Sequence, residues 1–374
     1  MKKISTEVVS RLLGLRLGAP IMAAALVGLI MAPTWAHAAN PKNIFLTFVD
    51  LIDQDFGNFC IPETIAVTPN SELVYVAAYD PTADEGEVFA INALNDTIIA
   101  SIEVSFGEGP FGVAIDPAGQ NVYVSVPGTT ALDGGVVKID IANNLLVNEY
   151  LPSVTGPFPE GLAVSKLDGT LWIANAGTSG FNNGTVSVIN PKPAGGANVA
   201  LIPVGGEATQ VVFNSTGKKA YVENFAGLGY VSVINTANFA ITNNSFGLGI
   251  INDSFYGLAV TPTTVIVGGF TESVYEFNFS GTLKKDFKMF LPSVPLNEQG
   301  LGQTAVTTNA KFLFVAEPDV SSIGWVNLVT GKVETLHPIF TGGFPIYLAI
   351  SPNDNTLYEA DQDFDGIGVI DIQQ

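Results

Sequence analysis

Residues 65–78 read IAVTPNSELVYVAA, and residues 113–126 read VAIDPAGQNVYVSV. Each is a short apolar run, a polar turn containing Pro with Asn or Gly, and an alternating run carrying a tyrosine. Five further segments fit the same frame, beginning at Leu162, Val211, Leu258, Thr304 and Leu348. Successive starts lie 48, 49, 49, 47, 46 and 44 residues apart. The aromatic recurs in register as Tyr75, Tyr123, Trp172, Tyr221, Phe314 and Tyr358, while the fifth segment has a shorter turn and lacks it. Self-similarity at such a period is the mark of a repeat architecture.

Each segment supplies two strands. A Gly-led strand follows, as in Gly86 to Ile91 or Gly184 to Asn190, and an Asn-containing turn leads to a fourth, as in Thr97 to Glu103. Four short strands per repeat specify a propeller blade. No stretch keeps a helical period over a dozen residues. The expected fold is therefore all-β: a seven-bladed β-propeller of four-stranded antiparallel blades. Small residues in the innermost strands (Ala66, Ala114, Ala163, Ala259, Ala305, Ala349) let the blades converge, and the aromatics fill the wider gaps farther out. The seventh repeat ends at Gln374 after three strands, and the run Asn43 to Leu51 has no blade of its own. Residues 43–51 are expected to pair with the C-terminal blade, 341–374, closing the ring and hiding two sheet edges.

Ahead of this lie Lys2, Lys3, Arg11 and Arg16, an apolar run from Ala19 to Ala32, and Ala36-His37-Ala38. A basic start, a short apolar core and an A-x-A site describe a secretory signal peptide over residues 1–38. The 336 residues of 39–374 then form a single propeller domain, about 48 residues to a blade. Export through this signal implies a periplasmic or extracellular location, with no membrane span once it is cleaved. After Ala38 the chain holds 11 basic and 34 acidic residues, no arginine, one histidine (His337) and one cysteine (Cys60). Such a surface repels a phosphate backbone, so nucleic acid is excluded as a partner. A zinc centre of two or three histidines cannot form within one chain. His337, in an outer-strand context, leaves no usable Ser-His-Asp triad. Cys60 can form no internal disulfide and reads as a buried small hydrophobe.

The repeats resemble the YVTN family of seven-bladed propellers. The matching pieces are Gly107 to Pro117 with Val122-Tyr123-Val124, Gly156 to Pro159 with Leu171 to Asn175, and the strands Val186 to Asn190 and Val231 to Asn235. The fourth repeat departs from the pattern, with Ala208 in place of Pro. The resemblance implies the architecture; relatives include lactonases, antibiotic-inactivating lyases and envelope binding proteins. The lyases rely on channel histidine or arginine, which this chain lacks.

Two loop sets share one face of such a disc, one preceding each innermost strand and one joining the second and third strands. The first offers Glu63, Glu160, Gln210, Tyr256, Gln303 and Tyr347. The second starts at Ala78, Val126, Asn175, Asn224, Glu317 and Asp361, and longer loops add Tyr79, Asp80, Asp84, Glu85, Glu223, Glu272, Asp319 and Asp363. Hard oxygen ligands converging on an axis suit Ca2+ or another divalent cation. By analogy with gluconolactonase-type propellers, Glu63, Glu160, Asn175, Asn224, Glu317 and Asp361 form a candidate metal set at the channel mouth. Asn175 and Asn224 have a second reading, as caps of backbone groups at the strand end. Asp361-Gln362-Asp363-Phe364-Asp365-Gly366 puts Asp361, Asp363 and Asp365 on one loop, a second candidate calcium site. Ile372 stands where an EF-hand needs glutamate, so the alternative is a solvated acidic turn. Tyr79, Tyr256, Gln303 and Tyr347 are ligand-face candidates. No organic cofactor is indicated. The first functional reading is a monomeric binding module for a small molecule, peptide or envelope protein. The alternative is a divalent-metal-dependent lactonase-like hydrolase.

Overall fold

A computed structural model describes residues 42–51, 59–104, 109–178, 183–192, 195–225, 229–246, 255–269, 273–289, 301–333, 339–340 and 343–373. The signal-peptide reading, His337 and Glu272 lie outside these residues. The described strands form seven antiparallel sheets. Blade 1 runs Ile61–Val67, Leu73–Asp80, Glu85–Asn92 and Thr97–Val104, paired in that order from the axis outward. Blades 2 to 5 repeat it, with inner strands Val113–Ile115, Pro159–Val164, Glu207–Phe213 and Phe255–Val260. In blade 6 the outer strand is two pieces, Lys332–Val333 and Ile339–Phe340, both paired to Ser322–Asn327. Among the described residues, no helix is long and apolar enough to cross a membrane.

Blade 7 contributes Pro345–Ile350, Thr356–Asp361 and Gly366–Gln373, and its outer strand is Lys42–Asp50. The pairing runs from Lys42 opposite Gln373 to Asp50 opposite Gly366, with one irregularity between Phe45 and Thr47. Phe48 meets Phe364 edge to face at 5.7 Å, and the Leu51 amide donates to the Asp365 carbonyl. The ring is thus closed by the chain's first strand, as the orphan run requires.

The turns explain the polar repeats. In blades 1, 3, 4, 5 and 6 the third strand ends in Asn (Asn92, Asn190, Asn235, Asn278, Asn327), whose side-chain oxygen accepts the amide two residues on. That Asx turn steers the chain into the outer strand. On the inner-to-second turns, Thr68, Thr307 and Ser351 hydroxyls accept the amides of Leu73, Phe312 and Thr356.

The core is a ring of interblade clusters. Tyr75 packs with Val122 and Val124 of blade 2, Tyr123 with Leu171 of blade 3, and Trp172 with Val222 of blade 4. Tyr221 meets Val265, Phe314 meets Leu357, and Tyr358 meets Ile65 across the closure. Ile266 takes the place of the missing aromatic in blade 5 and packs with Leu313 of blade 6. The inner crowding falls two residues before the alanines. A Cβ on Gly112 would stand 2.3 Å from the Glu160 carbonyl, and one on Gly161 2.5 Å from the Thr209 carbonyl. Gly257, at φ +125°, faces Gln303 and Thr304 backbone in the same way. In blades 2, 3 and 5 the tight approach is at this glycine, while blades 1, 4, 6 and 7 carry Thr64, Gln210, Gln303 and Tyr347 there; Ala114, Ala163, Ala259, Ala305 and Ala349 pack into the interblade clusters.

Candidate functional site

The loops into the inner strands and those joining second to third strands open on one face. In the sequence, neither loop set contains a single lysine or arginine, including loop residues outside the described set. The lysines fall in strands or in the turns of the opposite face, such as Lys166, Lys218 and Lys311. The loops of this side therefore carry no cation of their own, Lys288 standing at the end of the outer strand of blade 5 opposite Ser273, and the channel opens onto this side.

The inner strands meet that face through a repeated register shift. It falls between Pro62 and Thr64, Pro159 and Leu162, Ala208 and Gln210, Phe255 and Leu258, and Pro345 and Tyr347. The extra residue of such a bulge is turned out of the ladder. Glu63, Glu160, Thr209 and Tyr256 occupy these positions. Just below lies a cavity of about 280 Å³ whose lining includes Thr64, Gly161, Gln210, Gln303 and Tyr347.

Some rim groups are tied into the frame. Thr64 donates its hydroxyl to the Phe111 carbonyl, joining blades 1 and 2. Gln210 Oε1 accepts the Leu258 amide at 2.9 Å. Glu223 accepts the Gly257 amide at 2.8 Å and the Thr209 hydroxyl at 3.2 Å, joining blades 4 and 5. The sequence reading put Glu223 in a loop; it lies in the second strand of blade 4, fully buried. Ser125 holds the equivalent place in blade 2, between the Gly112 amide and the Glu160 carbonyl.

Others remain available to a ligand. Gln303 is 9% exposed, lines the cavity and leaves its Oε1 buried without a hydrogen-bond partner. Glu63 Oε1 receives a 3.3 Å hydrogen bond from Gln362 of blade 7. Burial pushes Glu63 up to about 7. Burial, reinforced by Glu207 and Glu223, pushes Glu160 up to about 8. Burial also raises Glu223 to about 7, against the pull of its two hydrogen bonds, and raises Glu207. The Tyr256 phenol is raised by burial and then by Glu223, Glu63, Glu160 and Tyr347. Tyr347 rises to about 12 by burial and by Glu223. Glu207, two residues before the shifted position of blade 4, escaped the sequence reading because nothing in its repeat marks it.

The six proposed metal ligands divide. Glu63 and Glu160 stand at the channel. Asn175, Asn224, Glu317 and Asp361 are buried inside their blades. Asn175 donates to Thr185 and Ser187, and Asn224 to the Val222 and Tyr230 carbonyls and to Ser232. Glu317 accepts from Ser322, and burial raises it to about 7. Each of the four keeps one oxygen without a partner. In the acidic loop, Asp361 Oδ1 accepts the amides of Phe344, Asp363 and Phe364, a turn-capping arrangement. Asp365 adopts φ +50°. Among the described residues no three His, Cys, Asp or Glu side chains group so as to hold a metal ion. Tyr79, read as a loop residue, lies in the second strand of blade 1 and hydrogen-bonds Asp84 of the turn that follows, and Cys60 is fully buried beneath the closure. Glu359 went unnoticed in the sequence. It replaces the aliphatic residue of the other second strands and is fully buried with both oxygens unpartnered. Burial, then Asp361, holds it well above the carboxylate range.

These carboxyls fix a pH dependence. An acid whose pKa is higher folded than unfolded favours folding below its unfolded pKa and loses that contribution as pH rises through the folded value. For Glu63, Glu160, Glu223 and Glu317 the window runs from about pH 4.5 to about 8. The Tm is expected to fall across that range in a calorimetric pH series, and Glu160→Gln should flatten the slope. A Tm that rises from pH 5 to 8 would contradict the burial of these groups.

No protein-family profile matches the sequence, and no curated protein does. Solved structures match in fold. A Kuenenia stuttgartiensis hydrazine synthase chain superimposes with a TM-score of 0.69 at 16% identity, over 86% of this chain and 99% of that one. The Cps50 (Swd1) β-propeller domain of Myceliophteria thermophila gives 0.69 at 8% identity, over 88% and 99%. At these identities the likeness is one of propeller architecture alone.

Proposed function

We propose that this protein is an exported binding module that takes a small ligand where its channel opens onto the face whose loops carry no lysine or arginine. The observation that carries the reading is the cavity of about 280 Å³ lined by Gln303, a residue whose amide oxygen is buried and unpartnered. An unsatisfied buried acceptor costs about 1–3 kcal/mol, which a ligand donor would recover. Polar groups in a partly apolar concavity are the usual make-up of a ligand site. The basic, apolar and A-x-A order of residues 2–38 supports export. Native mass spectrometry after incubation with an envelope small-molecule extract tests this. A retained small molecule, lost in Val212→Trp at the cavity wall, is the expected result. Retention unchanged by that plug, or no small molecule on the folded protein, would contradict it.

A divalent-metal-dependent hydrolase of the lactonase kind is the second reading. It is favoured by the buried oxygens left without partners on Asn175, Asn224, Glu317 and Asp361. A bound calcium or similar ion would supply Lewis acidity toward a lactone carbonyl. Stoichiometric metal surviving dialysis, with EDTA-sensitive turnover of lactones, would establish it in place of the first.

A further inference from the structure

Resting on the channel-binding reading, we infer that the ligand is an organic ammonium compound, a protonated primary or secondary amine on a small apolar body. Three independent features converge on that class. The first is charge. Glu63 and Glu160 sit in the bulges next to the cavity-lining Thr64 and Gly161, and the loops of that face contribute no lysine or arginine. The ion pairs of Lys284 and Lys285 with Glu276, and of Lys288 with Asp286, lie on the outer strands of blade 5. A bound cation favours the ionised form of these carboxyls, which burial alone disfavours.

The second is the hydrogen-bonding inventory. Gln303 Oε1 is a buried acceptor in want of a donor, and the Glu63 and Glu160 carboxyls, once ionised, only accept. An ammonium group has donors and no acceptor, so it satisfies both kinds of group together. The third is the wall. Phe111, Val113, Leu162, Val211 and Phe213 bring apolar and aromatic surface to the same cavity, with Tyr347 beside Gln303. That surface suits a carbon skeleton, and aromatic walls favour an adjacent cation. A bare calcium ion leaves it unused and asks for six to eight oxygens. The described residues hold no three-fold grouping of metal-capable side chains.

The test is isothermal titration of the chain beginning at residue 39. The probes are a graded set of primary amines from methylammonium to phenethylammonium, the neutral isostere 2-phenylethanol, and calcium chloride. Phenethylammonium is expected to bind and 2-phenylethanol not. Glu160→Gln and Glu63→Gln should each weaken the amine by about ten- to a hundredfold while leaving Tm equal or higher. Both substitutions replace a carboxyl whose charged form burial disfavours by a neutral amide of the same size, so a folded variant is expected and Tm verifies it. Binding of the alcohol without the amines would overturn the ammonium assignment and leave the channel reading standing. Tight stoichiometric calcium abolished by Glu160→Gln would overturn it in favour of a metal. Failure of every probe would overturn it together with the channel reading.

Discussion

A chain beginning at residue 52 is expected to lose the cooperative unfolding transition shown by one beginning at residue 39. The strand removed is the outer strand of blade 7, paired in register from Lys42 to Asp50. With it go Val49, 7% exposed, and Leu51, fully buried against Cys60, Ile367 and Val369 in the cluster that joins blades 7 and 1. The Phe48–Phe364 contact goes too. Burying such side chains stabilises by about 1.5–3 kcal/mol each, before the ladder hydrogen bonds are counted. Losses of that size consume most of the roughly 5–15 kcal/mol that holds a domain folded. They also expose Gly366–Gln373 as an unpaired edge, so aggregation should accompany the loss. Circular dichroism melting and size-exclusion chromatography measure both. A synthetic peptide of residues 42–51 should restore part of the transition, because the missing pairing is local. An unchanged melting curve for the shortened chain would show that the ring does not depend on this strand.

Trp172→Ala is expected to cost about 3–5 kcal/mol, the largest effect of a single side chain in the molecule. Trp172 is 1% exposed at the boundary of blades 3 and 4. Its ring meets Phe213 at 5.5 Å and 81° and Phe239 at 5.9 Å, and its Nε1 donates to Thr170 at 3.1 Å. Alanine leaves a cavity bounded by two rigid sheets that cannot close on it. For a chain of this size the loss corresponds to about 4–7 °C in Tm. Trp172→Phe keeps most of the volume and should cost far less. Leu167→Ala, at a side chain 57% exposed, is the control. If the Trp172→Ala shift were no larger than that control, the aromatic would not be acting as the interblade wedge.

The seven blades, their strand order and the closure were legible because a repeat states the same geometry seven times. A single misleading residue is outvoted, as in the fifth segment, where Ile266 stands in the aromatic's place without altering the blade. The aromatics were read correctly because their spacing is fixed by the sheet. The site was less legible. Whether Asn175 faces the channel or its own blade depends on one step of register and on hydroxyls ten and twelve residues away, at Thr185 and Ser187. The register shift that turns Glu63 and Glu160 toward the mouth has no residue signature of its own. Glycines at 112, 161 and 257 mark where the inner strands touch, yet in sequence they look like ordinary turn residues. Glu223 was read as a loop residue, and Glu359 was not singled out within its strand, because a buried carboxyl interrupts an apolar alternation that otherwise predicts well.

The most direct measurement is the electron density of a crystal of the 39–374 chain soaked in phenethylammonium. The expected result is one molecule in the channel, its nitrogen within hydrogen-bond distance of the Glu160 carboxylate and Gln303 Oε1, its ring against Phe111 or Phe213. Density only on the lysine-bearing opposite face, or an unaltered channel at saturating amine, would contradict the account.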